Sequence, residues 1–194
     1  MPEDPPIVVG VSGASGAPIA VRVLRALRDA HAPVALVVSN GAAAVLREEA
    51  GLAPDALRPY ADQMYRDEDL GAPVASGSRP TRGMVVVPCS SNTAAKIALG
   101  LGDTLLTRAA QVHLKERRPL IVVPRETPLS TVLLRHLTTL SELGAVVLVA
   151  SPAYYLRPST IEDVTDYLAG KVLDHLGVPH RLYRGWKAPA ETPG

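Results

Sequence analysis

The stretch that decides the fold is Ile7-Val8-Val9-Gly10-Val11, followed directly by Ser12-Gly13-Ala14-Ser15-Gly16-Ala17. The apolar residues predict a buried strand, and the small residues after them predict a tight turn into a helix. Glycine and alanine let a backbone approach a ligand closely. A helix that begins at such a turn presents unpaired amides and the positive end of its dipole to an anion. The stretch favours a phosphate-bearing ligand, but turns of this kind also serve only to reverse a strand into its helix.

The spacing of the glycines narrows the ligand class. Gly10, Gly13 and Gly16 follow the pattern G-x-x-G-x-x-G, whereas dinucleotide-binding turns follow G-x-G-x-x-G. The second apolar run ends in Ser39-Asn40, where an NAD enzyme carries an acidic residue for the ribose. No Lys-Ser or Lys-Thr pair follows the turn, which excludes a nucleoside-triphosphate loop. A mononucleotide such as FMN, with one phosphate and an apolar ring, fits what remains.

Length and composition bound the other possibilities. The chain has 194 residues, 47% of them hydrophobic, so we expect a single domain over residues 1–187 and a disordered tail over 188–194. A net charge of +1 and an aromatic content of 4% argue against a nucleic-acid partner. Cys89 is the only cysteine, the amino terminus lacks signal-peptide features, and no apolar run nears the ~20 residues of a membrane helix. We therefore expect a cytoplasmic protein without a membrane partner.

Short apolar runs alternate with segments of helical periodicity along the chain. This alternation predicts an α/β fold with a doubly wound parallel sheet in a three-layer αβα sandwich. With FMN as the expected ligand, this is a Rossmann-like flavoprotein architecture. Ligands of such sheets bind beyond the carboxyl ends of the strands, where the loops after four runs would meet. Residues 54–82 show weak periodicity and predict a partly irregular excursion. The predicted strands are residues 7–11, 33–38, 84–87, 120–123 and 145–150, and the clearest helices follow Gly16 and span 130–143.

Several further motifs carry a resemblance to a known family. Pro88-Cys89-Ser90-Ser91-Asn92-Thr93 ends a predicted strand and begins a helix. Together with VSGASGA (11–17), KERRPL (115–120), VPRETP (123–128), ELGAVV (142–147) and PAYYLRP (152–158), it makes the chain resemble the UbiX-type flavin prenyltransferases from residue 7 to about 186. The resemblance implies transfer of a dimethylallyl group from dimethylallyl phosphate to reduced FMN, with bonds at N5 and C6 that close a fourth ring. It also implies that the product, prenylated FMN, serves a UbiD-type decarboxylase, and that the protein forms a homododecamer with active sites at subunit contacts.

The resemblance assigns roles to individual residues, and each has a structural alternative. A hydroxyl at a strand end often only caps the next helix, and basic residues on a helix often only face solvent. The implied catalytic residues are Ser15, Glu49 and Glu126. The implied FMN contacts are Gly13, Ala14, Ser15, Ser39, Ser90, Ser91, Asn92, Thr93 and Arg125, and the implied contacts of the prenyl substrate are Tyr155, Lys171, Lys115, Arg108 and Trp186.

The chemistry of the implied reaction is coherent with these residue types. A phosphate that leaves an allylic carbon needs its developing charge stabilised, which fixed cations and hydroxyl donors can do. Loss of a proton from C6 needs a general base, for which the resemblance implies Glu49, while the adjacent Glu48 leaves the register open. No DDxxD motif is present and the expected site holds no metal, since a monophosphate needs less charge neutralisation than a diphosphate. We expect Asp163, Asp166 and the acidic run 67–69 to be helix caps or solvated faces, and the sequence leaves open whether the donor is a mono- or a diphosphate.

Some residues depart from the family pattern, and two other functions are compatible with the same fold. Lys171 stands where an arginine is usual, and Asn40, Gln111 and Leu156 also differ from many relatives. Flavin-containing cysteine decarboxylases have a similar fold and a PASANT loop like residues 88–93, but they depend on a histidine that the stretch 41–51 lacks. A non-catalytic FMN carrier is the third possibility, and it would have no need for residues around a second anion.

Overall fold

Six parallel strands form the central sheet of the computed structural model, which describes residues 4–186. The strand order is β3-β2-β1-β4-β5-β6, and each neighbouring pair runs parallel. The predicted doubly wound parallel sheet is therefore confirmed. The tail 188–194 lies outside the described residues. The strands are β1 (Ile7–Val11), β2 (Val34–Val38), β3 (Gln63–Arg66), β4 (Gly83–Cys89), β5 (Leu120–Pro124) and β6 (Val146–Val147).

Helices cover both faces of the sheet. One hydrophobic cluster joins one face of the sheet to the first, second and last helices, and a second cluster joins the other face to the remaining three. Every residue of β1, β2, β4 and β5 is buried, as expected for parallel strands covered on both sides. No helix within residues 4–186 has the length and apolar character needed to cross a membrane. The α-helices are α1 (Ala17–Asp29), α2 (Ala42–Ala50), α3 (Ser91–Ala98), α4 (Leu105–Lys115), α5 (Thr131–Glu142) and α6 (Ile161–Leu176).

Two edge strands differ from the prediction. The segment 54–82, expected to be partly irregular, contains β3 at the outer edge of the sheet beside β2. Its four residues include no run of apolar side chains and are all at least partly exposed, so hydrophobic periodicity gives no signal there. At the other edge, the run 145–150 retains only two strand residues. Backbone hydrogen bonds from Leu148 to Val122 (2.9 Å) and from Ala150 to Pro124 (3.1 Å) keep the rest of that run beside β5.

The carboxyl ends of β1 and β4 enclose the crevice of the fold. These strands are neighbours, but the chain leaves β1 towards β2 and leaves β4 towards β5, so the two loops diverge and open a space between them. Ser12, with 1% of its surface exposed, ties the loops together. Its hydroxyl donates to the Pro88 carbonyl (2.8 Å) and accepts from the Ser90 N–H (2.8 Å). The fold thus brings the small-residue turn and the 88–93 loop to one place.

Candidate active site

Four predicted loops border the crevice. The turn 13–15 follows β1, Ser39 follows β2, the stretch 90–93 follows β4, and Arg125 follows β5. The glycine at position 13 is required by packing, because a Cβ atom there would lie 2.8 Å from the carbonyl carbon and oxygen of Gly41. The loops after β1 and β2 are therefore in direct backbone contact. The expected convergence of these loops at the carboxyl edge is what the strand order produces.

The amino terminus of α1 already holds an anion, the carboxylate of Glu49. The N–H groups of Gly16 (2.8 Å) and Ala17 (2.9 Å) both donate to Glu49 Oε2. Gly16, the residue before the helix, has φ of 118° and contributes no side-chain cap, so the glutamate at the end of α2 takes that role. The amides that the sequence offered to a phosphate are thus bound to a side chain 33 residues away.

The surroundings of Glu49 favour its ionised form. Burial alone would raise the pKa of this carboxyl. Hydrogen bonds from the Ser15 side chain and from the Gly16 and Ala17 amides, together with the charge of Arg125, outweigh burial and leave the pKa below its ordinary value of 4.5. Glu49 is therefore a carboxylate at neutral pH, in electrostatic contact with two other predicted site residues, Ser15 and Arg125.

At the start of α3, some of the predicted FMN contacts form the helix cap and others are exposed. Ser90 caps the helix, since its Oγ accepts from the Thr93 N–H (3.1 Å) and donates to Thr93 Oγ1 (2.9 Å). Ser91 and Asn92 are exposed on the first turn of the helix. The Ser91 hydroxyl donates to Glu126 Oε2 at 3.2 Å, which brings the loop after β5 against α3. Glu126 thus lies beside the start of α3, and Glu49 lies beside the start of α1.

Cys89, the last residue of β4, is packed in the hydrophobic core and is not a nucleophile. Its side chain is buried, and burial raises the pKa of the thiol to about 12. The thiol group donates to the Ser90 carbonyl at 3.7 Å. A group that stays protonated at neutral pH cannot supply a thiolate.

An exposed aromatic pair lies on the chain leading into and out of α6. Tyr155 belongs to a short 3-10 helix before α6, and Trp186 lies ten residues after its end. Their ring centroids are 5.0 Å apart with an interplanar angle of 86°, an edge-to-face contact. Trp186 remains 66% exposed, so the ring contributes little to the core. Two of the predicted prenyl-substrate residues are therefore brought together.

Lys171 is held by an acidic partner on its own helix. Its Nζ donates to Asp174 Oδ2 at 3.2 Å, and the same oxygen accepts from the Tyr183 hydroxyl. Asp174 Oδ1 accepts from His180 Nε2 at 2.9 Å. Burial lowers the pKa of Lys171, but hydrogen bonds and charges from Asp174 and Tyr183 outweigh it, and the pKa is raised. The Lys171 side chain is therefore a fixed cation.

Lys171 and Lys115 lie well beyond the first turns of their own helices. Lys171 follows the first residue of α6 by ten positions, about 15 Å along the helix axis. Lys115 is the last residue of α4, about 15 Å from Leu105 at its start, and its Nζ pairs with Glu116. Arg108 lies one turn into α4, where its Nε donates to the Ala75 carbonyl (3.1 Å). Within one chain, α6 and α4 pack on opposite faces of the sheet, which separates Lys171 from Lys115 and Arg108.

Comparison with known proteins identifies the family. Residues 1–173 match the Flavoprotein family. The chain is 48% identical over 182 residues to the flavin prenyltransferase UbiX of Thermoplasma acidophilum, and the alignment covers 93% of this chain and 99% of that protein. The chain belongs to the UbiX family of flavin prenyltransferases.

Two solved structures of UbiX proteins share the fold. The structure of AnUbiX (PadA1) in complex with FMN and dimethylallyl pyrophosphate is 39% identical and superposes with a TM-score of 0.93, covering 97% of this chain and 100% of that one. The dodecameric FMN-dependent UbiX-like decarboxylase from Escherichia coli O157:H7 is also 39% identical, with a TM-score of 0.91 and coverage of 94% and 99%. The fold expected from the UbiX resemblance is confirmed.

The UbiX fold also contains polar contacts that sequence reasoning missed. Asp67, expected to be a cap or a solvated side chain, is a buried cap of α4, whose Leu106 N–H donates to its Oδ1 (2.9 Å). No sequence motif pointed to Asp174, His180 or Tyr183. The only sequence signal for Asp174 was its spacing of three from Lys171, which places the two on one side of a helix. The bond between Ser12 and the 88–93 loop had no signal, because its partners are 76 and 78 residues away.

Proposed function

We propose that this chain transfers a dimethylallyl group from a dimethylallyl phosphate ester to N5 and C6 of reduced FMN, producing prenylated FMN. The observation that carries the proposal is the cluster of Ser15, Glu49 and Arg125 around the start of α1, at the crevice where a doubly wound sheet binds its ligand. Membership of the UbiX family supplies the reaction. The AnUbiX complex contains FMN together with dimethylallyl pyrophosphate, the two kinds of substrate that this reaction joins.

The residues present fit FMN, in a pose that the Glu49 cap restricts. Since Glu49 takes the first amides of α1, we assign the flavin phosphate to the exposed start of α3, to Ser39 and to Arg125. Gly13, Ala14 and Ser15 then line the crevice beside the ring. The remaining predicted contacts, Ser90 and Thr93, act through the cap that shapes the start of α3. Reduced FMN supplies the nucleophilic atoms when bound.

Glu49 is the proposed general base, with Ser15 as its relay. The cap holds Oε2 in place, and the lowered pKa keeps the group unprotonated at neutral pH, ready to accept a proton. A lowered pKa also weakens a base, so the proton must move on. Ser15, whose side chain is among the groups that lower the pKa of Glu49, offers a path towards the departing phosphate. Glu126, bound to Ser91 at the start of α3, is the second acid or base.

We assign the prenyl phosphate to cations that come from more than one subunit. Lys171 and Lys115 lie well beyond the first turns of their own helices, which pack on opposite faces of the sheet. A complete site therefore requires residues of at least two copies to approach one crevice. One copy contributes Tyr155, Lys171 and Trp186, and another contributes Lys115 and Arg108. The crevice belongs to one of these two copies or to a third. A homododecamer, as in the UbiX-like structure from Escherichia coli O157:H7, would allow this arrangement.

Four further expectations belong to the same proposal. The reaction needs no metal, because fixed cations and hydroxyl donors stabilise the departing phosphate. The product is passed to a UbiD-type decarboxylase. The flavin-binding domain comprises residues 1–187 as one unit, and the protein acts in the cytoplasm.

The direct test combines purified protein, reduced FMN and dimethylallyl phosphate under anaerobic conditions, in parallel with the pyrophosphate ester. We expect a flavin whose mass increases by one prenyl group, whose absorption spectrum changes on ring closure, and which activates a UbiD-type apo-decarboxylase. The measurement is repeated with EDTA to test the independence from metal. Unchanged FMN after incubation with both esters would contradict the proposal.

Glu49→Gln separates the two chemical steps. The amide keeps the shape of the side chain but removes the base, so transfer to N5 continues while closure at C6 slows by about 10²–10⁴-fold. Mass detects the first step, and the absorption spectrum detects the second. Glu48→Gln is the matched control, since Glu48 is an exposed neighbour on the same helix. Normal ring closure in Glu49→Gln would transfer the role of base to Glu126, to Glu48 or to the released phosphate.

A further inference from the structure

The segment after α6 is bound back onto that helix by one carboxylate. Asp174 accepts hydrogen bonds from Lys171 Nζ (3.2 Å), His180 Nε2 (2.9 Å) and the Tyr183 hydroxyl. His180 is oriented from its other side, because the Leu182 N–H donates to Nδ1 at 3.2 Å. Nδ1 thus accepts and Nε2 donates, which defines the tautomer of the ring. Every polar atom of this contact has a partner.

A glycine in α6 makes room for the same segment. A Cβ atom at Gly170 would lie 2.6 Å from Tyr183 Cδ1 and 2.8 Å from His180 Cε1, so both rings rest directly on the helix backbone. Tyr167 packs edge-on against Tyr183, with centroids 5.1 Å apart. The ring of Tyr183 also lies 6.0 Å from Lys171 Nζ. Packing and charge therefore hold the segment 180–183 in one position on the helix.

Trp186 follows that segment by three residues. From His180 to Tyr183 the chain runs back along α6, and three residues later Trp186 meets Tyr155, 5.0 Å between ring centroids. Tyr155, Lys171 and Trp186 come from three separate stretches of the chain. Asp174 binds Lys171 directly, and it also binds the segment that leads to Trp186.

We propose that Asp174 is a positioning residue that holds Lys171 and, through His180 and Tyr183, brings Trp186 against Tyr155 to form one preassembled face for the prenyl phosphate. The proposal rests on the proposed function for the identity of the ligand, but not for the arrangement of the segment. Lys171 has a compact charge on a flexible chain, without the planar fork of arginine, so it depends on a partner to fix its direction. Asp174 supplies that partner at a spacing of three on the same helix.

A role of Asp174 through its charge and a role in positioning predict opposite changes in substrate binding for Asp174→Asn. If the carboxylate acted only through its charge, its removal would strengthen the binding of an anion nearby. If it positions Lys171 and Trp186, its removal weakens binding. We expect the KM for dimethylallyl phosphate, and its dissociation constant by calorimetry, to rise about tenfold, with kcat changed by less than about threefold.

The single tryptophan supplies a measurement that needs no substrate. Trp186 is the only tryptophan of the chain, so tryptophan fluorescence reports on the surroundings of this one residue. In the flavin-free full-length protein we expect Asp174→Asn to lower the anisotropy of Trp186 emission and to increase its quenching by acrylamide. Tyr183→Phe keeps the ring on Gly170 but loses the bond to Asp174, and it should change both readouts in the same direction by less. Circular dichroism and light scattering check that each variant is folded and assembled.

Asp166→Asn is the matched control. It removes a carboxylate from the same helix, but one that pairs with Arg22 on α1. We expect it to leave the Trp186 signal and the KM unchanged. Two results together would overturn the proposal. One is that folded Asp174→Asn binds dimethylallyl phosphate as tightly as wild type or more tightly. The other is that the Trp186 signal is unchanged in both Asp174→Asn and Tyr183→Phe. If wild-type protein lacks prenyl transfer, the proposed function fails, and the fluorescence of these variants still decides whether Asp174 positions the segment.

Discussion

Among single residues, Cys89 illustrates how the environment decides reactivity. The side chain is 1% exposed and its pKa is raised to about 12 by burial. We expect the native protein to resist alkylation by iodoacetamide at pH 8, while the same protein in denaturant is labelled once, at its only cysteine. Mass spectrometry of the intact chain measures the label. Equal rates of labelling in the native and denatured states would show that reagents reach the Cys89 thiol in the folded protein.

Glu49 couples the stability of α1 to pH. Its pKa is lower in the folded protein than the ordinary value of 4.5, so its contribution is present above pH 4.5 and is lost as the pH falls through the lowered folded value. At pH 7 we expect Glu49→Gln to reduce the free energy of unfolding by about 1 kcal/mol, typical of a lost helix cap. The difference from wild type should disappear in acid. Denaturant titrations from pH 3 to 7 test this, and Glu48→Gln should match wild type throughout.

At the level of secondary-structure elements, Ser12 is the link between β1 and the loop after β4. Its hydroxyl is buried and satisfies both the Pro88 carbonyl and the Ser90 N–H. Ser12→Ala leaves those two groups without this partner, so we expect a loss of about 1–3 kcal/mol in the free energy of unfolding. Urea denaturation measures it, and Ser141→Ala on the exposed side of α5 is the control. Equal stability of the two variants would contradict the link.

The helix α4 is joined to the start of β4 by a buried histidine. His113 Nδ1 donates to the Ala109 carbonyl (2.8 Å), and Nε2 accepts from the Thr81 hydroxyl (2.9 Å). Burial, with the nearby charge of Arg118, lowers the pKa of His113 below its ordinary value of 6.5, against the opposing effect of the backbone hydrogen bonds. The folded protein therefore favours the neutral ring. The contribution of His113 to the free energy of unfolding is present above pH 6.5 and is lost as the pH falls through the lowered folded pKa.

The test of this coupling is His113→Gln. The variant should be less stable at pH 7.5, and its stability should fall less steeply than that of wild type between pH 6.5 and 5. Thermal unfolding at several pH values measures both quantities. His175→Gln on the exposed side of α6 is the control and should retain the wild-type slope. An unchanged slope in His113→Gln would assign the pH dependence to other groups.

For the whole molecule, the distribution of cations over distant elements predicts a shared site. Glu49 borders the crevice, whereas Lys171 lies about 15 Å along α6 from its start. Glu49→Gln and Lys171→Ala should each lose most formation of the ring-closed product. When the two variants are co-expressed in equal amounts, random assembly should restore about a quarter of the sites if each site draws these residues from different copies.

Activity of the mixed protein against each variant alone is the measurement. Mixing of Glu49→Gln with Ser15→Ala is the control, because both residues lie at one crevice and no mixed site can be complete. A monomer by light scattering that still completes the reaction would contradict a shared site.

Much of the fold was predictable because its signals are local. Strands buried on both faces leave apolar runs such as 7–11 and 120–123, and Ser130 is the capping residue directly before α5. The edge strand β3 escaped prediction because it is half exposed and carries no such run. Among site residues, the loops at the carboxyl edge were predictable from topology alone. Their individual partners were not.

The sequence by itself determined the parallel sheet, the crevice and the family, because apolar runs, glycine spacing and ordered motifs are properties of neighbouring residues. Only the tertiary structure decided that Glu49 caps α1 and that Asp174 gathers Lys171, His180 and Tyr183. Those contacts depend on how α2 packs beside α1 and how the chain returns along α6. Such packing is set by side chains throughout both hydrophobic clusters, and no short stretch of sequence encodes it.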